Sequence, residues 1–328
     1  MRKEIVKMLE QISSLDVAKG KGGLCWQSSD GGLTGTYCPL EDAKIPVWDA
    51  GFWLGISLYD VAPMWKGWIR KLDSHVNRFY SNAHVCRMEP EISKEQFKEQ
   101  MLETVRRSKL QDANIWLVVT WGLWTPYTIG EKKLGGPELR GPDHQLGLQI
   151  WIKTARGAFP PRCKENGTKV IIPSARAYPH QCVEPRLKHF DRLNFHMAQL
   201  EVISAGADGF INITLDGHLS EGHGANVWLV KQGKLFTPSE NALQGITVEF
   251  IFDLAKELNL EATGAFLTAW DLYTTDEAFY SSSAGGIFPI VEVDGRKIGD
   301  GKPGPITKRL DDIYWKFAVD PKYAVKVY

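Results

Sequence analysis

Neither sign of charge is in excess: lysine and arginine together number 39, as do aspartate and glutamate, and no basic block stands out. A nucleic-acid or anionic-membrane surface is therefore not expected. Long apolar runs are also missing. The longest, IWLVVTWGLW from Ile115 to Trp124, is roughly half of what a bilayer requires. Cysteine is scarce and shows no pairing pattern: Cys25, Cys38, Cys86, Cys163 and Cys182 are odd in number and widely spaced, with no CxxC. That excludes a disulfide framework or a cysteine zinc site as the first reading and fits a reducing compartment. The opening MRKEIVKMLEQISSL scatters charges through an amphipathic pattern, so a signal peptide is not expected. A GxGxxG after a strand and a GxxxxGK[ST] are both wanting. His218 and His223 bracket Glu221, but no further ligand completes a metal set. The expectation is a soluble, cytoplasmic protein that uses no metal and acts on a small molecule.

A chain of 328 residues, 43% of them hydrophobic, exceeds one comfortable core, so two domains are expected. LTGTYCPL and the run ending in LYDVAPMW read as strands, and Lys66-Gly67 in WKGWIRKL punctuates a hairpin. LDSHVNRFYSNAHVC and SKEQFKEQMLETVRRSKL have helical periodicity, with Ser93 ahead of Glu95 and Gln96 as an N-terminal signal. Asn114 to Trp121 is a short buried strand. Thr125 to His144, rich in glycine and proline, cannot form core and reads as a functional loop or a linker. The expected division is a small domain over residues 1–124, an interdomain or active-site loop over 125–148, and a larger domain over 149–328. In the last of these, LGLQIWIKTA, TKVIIPSARAYP, GFINITLDG, NVWLVKQGKLFTP and IFPIVEVDGRKIG read as strands, Asp294-Gly295 marks a hairpin, and helices span about Phe190 to Ala205 and Thr247 to Leu258. The fold class is α+β, two α/β domains with sheets in both halves.

Four segments could carry chemistry. Lys188, in RLKHFDRLNF, follows a proline-containing segment and precedes an apolar helix face; it is either a solvated surface charge or a desolvated nucleophile. LQGIT, Leu243 to Thr247, stands just before a helix, where free N–H groups suit an anion and where Thr247 could equally be a plain N-cap. SSSAGGIFP, from Ser281, offers hydroxyls and glycines to an anion, or ordinary turn chemistry. Arg78 sits alone on a helix. Glu221, at the mouth of a strand that reads as buried, raises a separate question, because a carboxylate there is costly without a partner.

Taken in order, KHFDRLNF, LSEGHGANVWLVKQGKLFTP, LQGIT and SSSAGGIFPIVEVDGRKIGDGKPGPITKRLDDIYW, with PLEDAKIPVWDAGFWLGISLYDV and KLDSHVNRF before them, resemble the fold-type IV, class IV aminotransferases that use pyridoxal 5'-phosphate. These include the branched-chain, D-amino-acid and (R)-selective amine aminotransferases and aminodeoxychorismate lyase. IPVWDAGF and the closing GPITKRLDDIYWKF and DPKYA look most similar to the (R)-amine branch. The resemblance implies a smaller N-terminal and a larger C-terminal domain with the cofactor between them. It implies that Lys188 holds the cofactor as a Schiff base and moves a proton, and that Glu221 is offset by the ring nitrogen. It further implies that Arg78, Gly245, Ile246, Thr247, Ser282 and Ser283 cradle the phosphate, Arg78 by bidentate pairing, and that Tyr59 and Trp53 stand near the substrate. The implied reaction moves an amino group from a primary (R)-amine or D-amino acid to a 2-oxo acid such as pyruvate, in a homodimer.

Two departures bear on substrate. His189, Phe190, Asp191 and Arg192 follow the lysine, an order more similar to aminodeoxychorismate lyase, and Arg192 could face the substrate or simply tie down its helix. The Thr125 to His144 loop does not match the amine-branch loop, and Arg140, its one arginine, is the candidate for a substrate carboxylate. The alternatives are a lyase-like, branched-chain or D-amino-acid enzyme and, outside enzymes, a carbohydrate-binding module drawing on the 12 tryptophans.

Overall fold

The computed structural model describes residues 21–122, 146–155 and 157–328; Trp124, Arg140 and most of the expected loop lie outside them. The chain runs β1 (Leu24–Ser28), β2 (Thr36–Pro39), α1 (Ala50–Trp53), β3 (Ser57–Trp65), β4 (Trp68–Arg70), α2 (Leu72–Val85), α3 (Lys94–Ser108), β5 (Ala113–Thr120) and β6 (Gly147–Thr154). It continues with α4 (Arg162–Asn166), β7 (Thr168–Ile171), α5 (Leu193–Ala205), β8 (Gly209–Phe210), β9 (Glu221–Gly222), β10 (Ala225–Lys231), β11 (Lys234–Pro238) and α6 (Ile246–Glu257). The last elements are β12 (Ala262–Ala265), α7 (Ala269–Tyr273), β13 (Glu277–Ser282), β14 (Gly286–Val293), β15 (Arg296–Lys297), α8 (Pro305–Phe317) and β16 (Ala324–Lys326).

Two sheets result, as the α+β reading requires. The first is antiparallel, in the order β16-β4-β3-β5-β6-β1-β2, and the second is mixed, β12-β11-β10-β13-β14-β7-β8, with β9 on β10 and β15 on β14. The sheets cut the sequence differently from its composition. LGLQIWIKTA was assigned to the larger domain, yet β6 pairs with β5 and β1 in the first sheet, and the C-terminal β16 returns to pair with β4. Composition marks loops, whereas strand membership is decided by which hydrophobic faces meet, and that pairing is non-local.

Local chemistry explains the elements that the sequence made readable. Lys66-Gly67, Gln232-Gly233 and Asp294-Gly295 each take positive φ at both positions, the backbone that a two-residue hairpin turn needs, and they join Trp65 to Trp68, Lys231 to Lys234 and Val293 to Arg296. Ser93 caps α3 in a reciprocal box with Gln96, contributing about 1 kcal/mol. On one face of the first sheet, Val76, Phe79, Phe97, Met101 and Val105 of α2 and α3 bury against Leu117, Ile150 and Ile152. The Phe79 and Phe97 rings stack at 5.2 Å, worth roughly 1 kcal/mol beyond their burial. The opposite face carries Tyr59, Val61, Trp116, Val118 and Trp151, with Phe190 packed on it. That second face looks toward the other sheet, whose core gathers Trp228, Phe250, Phe279 and Tyr314 beneath α6 and α8.

Cross-links hold the two halves in register. Lys71, ahead of α2, bonds Glu249 and Asp253 of α6, each at 2.7 Å, and Arg78 donates to the Gln244 carbonyl at 3.0 Å. A cleft is left between the aromatic face of the first sheet and the β9–β10 edge and α6 start of the second.

Candidate active site

That cleft is a cavity of about 510 Å³. Of the residues singled out from the sequence, Tyr59, Arg78, Lys188, Arg192, Glu221, Gly245, Ile246, Thr247, Ser282 and Ser283 all line it. Trp53 does not; it sits at the end of α1, 45% exposed, with its ring edge-on to Trp48 at 5.8 Å. Arg140 falls outside the described residues.

Lys188 lies in an extended segment, not at a helix start. Its carbonyl accepts from the Tyr59 N–H at 2.9 Å, and His189 makes a single antiparallel bridge to Leu58, so the segment is held against the start of β3. This fixes the lysine over the Tyr59 ring, its Nζ 4.6 Å from the centroid. The Tyr59 ring packs in turn on Phe190 at 4.4 Å and Trp116 at 5.2 Å, and those two rings lie 6.3 Å from each other, so the three form one cluster. The helix expected from Phe190 begins at Leu193, and Arg192 stands before its first turn with Cζ 3.8 Å over the Phe195 ring.

Glu221 is buried on β9, paired with Asn226 of β10. Burial pushes its carboxyl upward, opposed by the charges of Arg192 and Lys188, by the Leu243 backbone and by Arg78. Asn226 Nδ2 reaches Glu221 only at 3.5 Å while donating to the Leu243 carbonyl at 2.8 Å. The Leu243 backbone, the long Asn226 contact and the cations beyond do not offset the cost of desolvating this acid. Arg192 also reaches the two neighbouring histidines: burial, then Arg192, lowers both His189 and His223.

The far end of the cavity collects N–H and hydroxyl groups. Gly245 is the N-cap of α6, and no side chain caps that end, so the helix start presents backbone N–H groups at its positive pole. Thr247 is not the cap that the plain reading assigned; its hydroxyl meets the Ser283 hydroxyl at 3.2 Å. A side chain at 245 would have to displace the Asn226 amide, since a Cβ there would stand 2.2 Å from Asn226 Oδ1. The Ser282 hydroxyl is already engaged, donating to the Gly224 carbonyl at 2.8 Å and accepting from the Ala284 N–H at 3.1 Å.

Arg78 corrects one expectation. Its bidentate edge is occupied: Nε donates to Asp60 Oδ2 at 2.7 Å and Nη2 to Oδ1 at 2.9 Å. An incoming anion therefore meets the remaining guanidinium hydrogens and not a free fork. Asp60 is fully buried on β3 and also accepts from His75 Nδ1 at 2.6 Å. Burial alone would raise the Asp60 carboxyl, but Arg78 and His75 hold it well below the usual carboxylate range. Burial keeps His75 below its ordinary value, so the neutral ring donates from Nδ1.

Sequence reasoning missed Asp60, Asn114, Trp116, Lys153 and Asn226. Asn114 and Trp116 alternate on β5, and Lys153 faces Asn114 across β6; period-two alternation of polar and aromatic residues in otherwise apolar runs was the available signal. Together the cavity offers an amine over an aromatic wall, a desolvated acid, and an anion end made of backbone, hydroxyls and one anchored guanidinium.

Comparison with known proteins gives the same assignment. The amino-transferase class IV model matches residues 57–293. The putative branched-chain-amino-acid aminotransferase of Methanocaldococcus jannaschii is 33% identical over 299 residues, covering 90% of this chain and 98% of that protein. The branched-chain-amino-acid aminotransferase of Pseudomonas aeruginosa is 31% identical over 271 residues, 81% of this chain and 83% of its own. The crystal structure of the T.th. branched-chain amino acid aminotransferase, complexed with N-(5'-phosphopyridoxyl)-L-glutamate, superposes with a TM-score of 0.80 at 26% identity over 93% of this chain and 99% of that one. The fold is thus the two-domain architecture of fold type IV, and the chain belongs to the class IV aminotransferases.

Proposed function

We propose that this protein moves the amino group of a branched-chain amino acid to a 2-oxo acid, with Lys188 and Glu221 at the centre of the reaction. At the coarser level it is a pyridoxal-phosphate-dependent transaminase of the branched-chain or D-amino-acid type. That sets aside the carbohydrate-binding alternative. The (R)-amine branch, favoured by IPVWDAGF, has less behind it than the branched-chain one, because the similar proteins carry branched-chain names.

The cavity fits the cofactor on its own observations. A desolvated carboxylate with raised proton affinity suits a ring nitrogen that brings a proton, and an uncapped helix start at a glycine packed closely on Asn226 suits a phosphate. When bound, pyridoxal phosphate supplies a carbonyl carbon for the amine and a ring that withdraws electrons. Lys188 would hold the cofactor through its amine and would move the proton at the substrate Cα. Glu221 holds the proton at the ring nitrogen. Gly245, Ile246, Thr247, Ser283 and Arg78 hold the phosphate, and Asp60 fixes the direction of Arg78. Arg192 is the cation for a substrate carboxylate.

The observation that carries the substrate reading is the wall beside Lys188. Phe190, Trp116, Val61 and the ring of Tyr59 present apolar surface there, the three rings stacked on one another, which suits an aliphatic side chain. Half-reactions followed by cofactor absorbance test it. Leucine and valine should convert the cofactor to its amine form and a 2-oxo acid should restore it; conversion by (R)-1-phenylethylamine with none by either amino acid would overturn the assignment. Release of pyruvate from an aminochorismate substrate without an acceptor would favour the lyase.

A homodimer and a cytoplasmic setting belong to the same reading. Leu193, Met197, Leu200 and Ile203 are all exposed on α5, at the spacing of one helix face, which suits a second copy. All five cysteines are free thiols, and among the described residues no helix is long and apolar enough to cross a membrane. Sedimentation of the purified protein checks the dimer.

A further inference from the structure

We propose that Cys25 and Cys38 are a reversible redox site, a dithiol that a hydroperoxide closes into a disulfide across the β1–β2 pair. The two residues stand directly opposite one another in antiparallel register. Directly opposed antiparallel residues have Cα atoms about 4.5 to 5.5 Å apart, inside the range of about 4.4 to 6.8 Å that a disulfide spans. Opposed residues also project from the same face of the sheet, so the bond needs no change of register.

The two thiols differ in a way that orders the chemistry. Cys25 is fully buried, and its thiol is pushed up to about 12, by burial first and then by the neighbouring Cys38. Cys38 is half-buried on β2, the edge strand of the first sheet, where a small oxidant reaches it. Cys38 Sγ, as thiolate, attacks the peroxide oxygen and becomes S–OH while water leaves after protonation. Cys25 Sγ then attacks the Cys38 sulfur, the S–S bond forms, and the hydroxyl departs as a second water. The two thiols lose two electrons and two protons; the peroxide accepts both and yields two waters. None of Cys86, Cys163 and Cys182 faces another cysteine across paired strands.

The position is not remote from the cavity. Cys38 opposes Cys25, Cys25 opposes Trp151, Trp151 opposes Trp116, and Trp116 opposes Val61. This is one row of side chains across five strands, and its last two members line the cavity.

Both cysteines fall in one tryptic peptide, from Gly22 to Lys44, which makes the test direct. Holoenzyme is treated with a small excess of hydrogen peroxide, alkylated, digested and weighed. The expected product is that peptide lighter by two hydrogens and unalkylated, returning to the doubly alkylated form after dithiothreitol. Cys25→Ser and Cys38→Ser should each abolish the light form, and in Cys25→Ser the lone Cys38 should proceed to sulfinic acid. A wild-type peptide that stays doubly alkylated, or whose Cys38 reaches sulfinic acid as fast as in Cys25→Ser, would overturn the proposal.

Discussion

Replacing Asp60 by asparagine tests how the anion end of the cavity is held. The wild-type carboxylate is fully buried and takes four charge-assisted hydrogen bonds, two from Arg78, one from His75 and one from the Val61 N–H. Asparagine keeps the shape but removes the charge, and its amide turns a donor toward another donor. Removing one partner of a buried pair costs about 3–5 kcal/mol; the Arg78 side chain retains 13% exposure, so water recovers part of this and about 3 kcal/mol is expected. For 328 residues that loss corresponds to a fall of about 4 °C in melting temperature. The assay is thermal denaturation of the cofactor-free protein at neutral pH, repeated down into acid. Because the folded Asp60 carboxyl is depressed, its stabilisation is present above the unfolded value of about 3.9 and is lost as pH falls below it toward the folded value. The two melting curves should therefore differ at neutral pH and converge in acid. With cofactor bound, the phosphate supplies Arg78 with a counter-charge, so the deficit should shrink. Equal stability of the two cofactor-free proteins at neutral pH, or a deficit that persists undiminished into acid, would refute the assignment of Asp60 as the anchor of Arg78.

Other substitutions separate the remaining roles. Lys188→Ala should leave the fold intact, abolish borohydride-trapped cofactor on the peptide containing residue 188, and lower turnover by about 10⁴-fold, the upper end of what proton transfer contributes. Glu221→Gln should stabilise the cofactor-free protein at neutral pH, because the raised Glu221 carboxyl gives a contribution that is present below its unfolded value and lost as pH rises through its folded one. The same variant should turn over roughly 10²-fold more slowly, so one change moves stability and rate in opposite directions; melting and half-reaction rates read the two. Gly245→Ala should cost about 1–3 kcal/mol from overpacking against Asn226 and weaken cofactor binding, measured by fluorescence titration.

How much of this was legible in the residues depended on the range of the interaction responsible. Hairpins at Lys66-Gly67 and Asp294-Gly295 and the cap at Ser93 were readable because each is decided within four residues. The cavity residues were not readable in that way. Lys188, Arg78, LQGIT and the serines at 281–283 each had an ordinary explanation, Glu221 stood as a buried acid with no partner in view, and only their order along the chain, through resemblance to a known family, brought them to one site. What stayed invisible was set by register between distant strands. Asp60 sits in LYDVAPMW, where it reads as a polar interruption, and its meaning depends on α2 folding back so that Arg78 and His75 face it. The same limit hid Cys25 and Cys38. Spaced 13 apart in sequence, they have none of the signature of a redox motif, and their opposition exists only because β1 and β2 pair at Trp26 and Tyr37. A one-residue slip of that pair would put the two thiols on opposite faces of the sheet. Trp26 is the anchor against such a slip: it is buried in the core that β1 shares with Phe79, Phe97 and Ile150, so packing on the helix side of the sheet fixes which side chains meet on the cavity side. Trp26→Ala should therefore cost about 3–5 kcal/mol as a buried aromatic truncation and, if β2 loses its register, also lower the yield of the Cys25–Cys38 disulfide under peroxide. An unchanged yield in a destabilised variant would place the control of register elsewhere in the β1–β6 pairing.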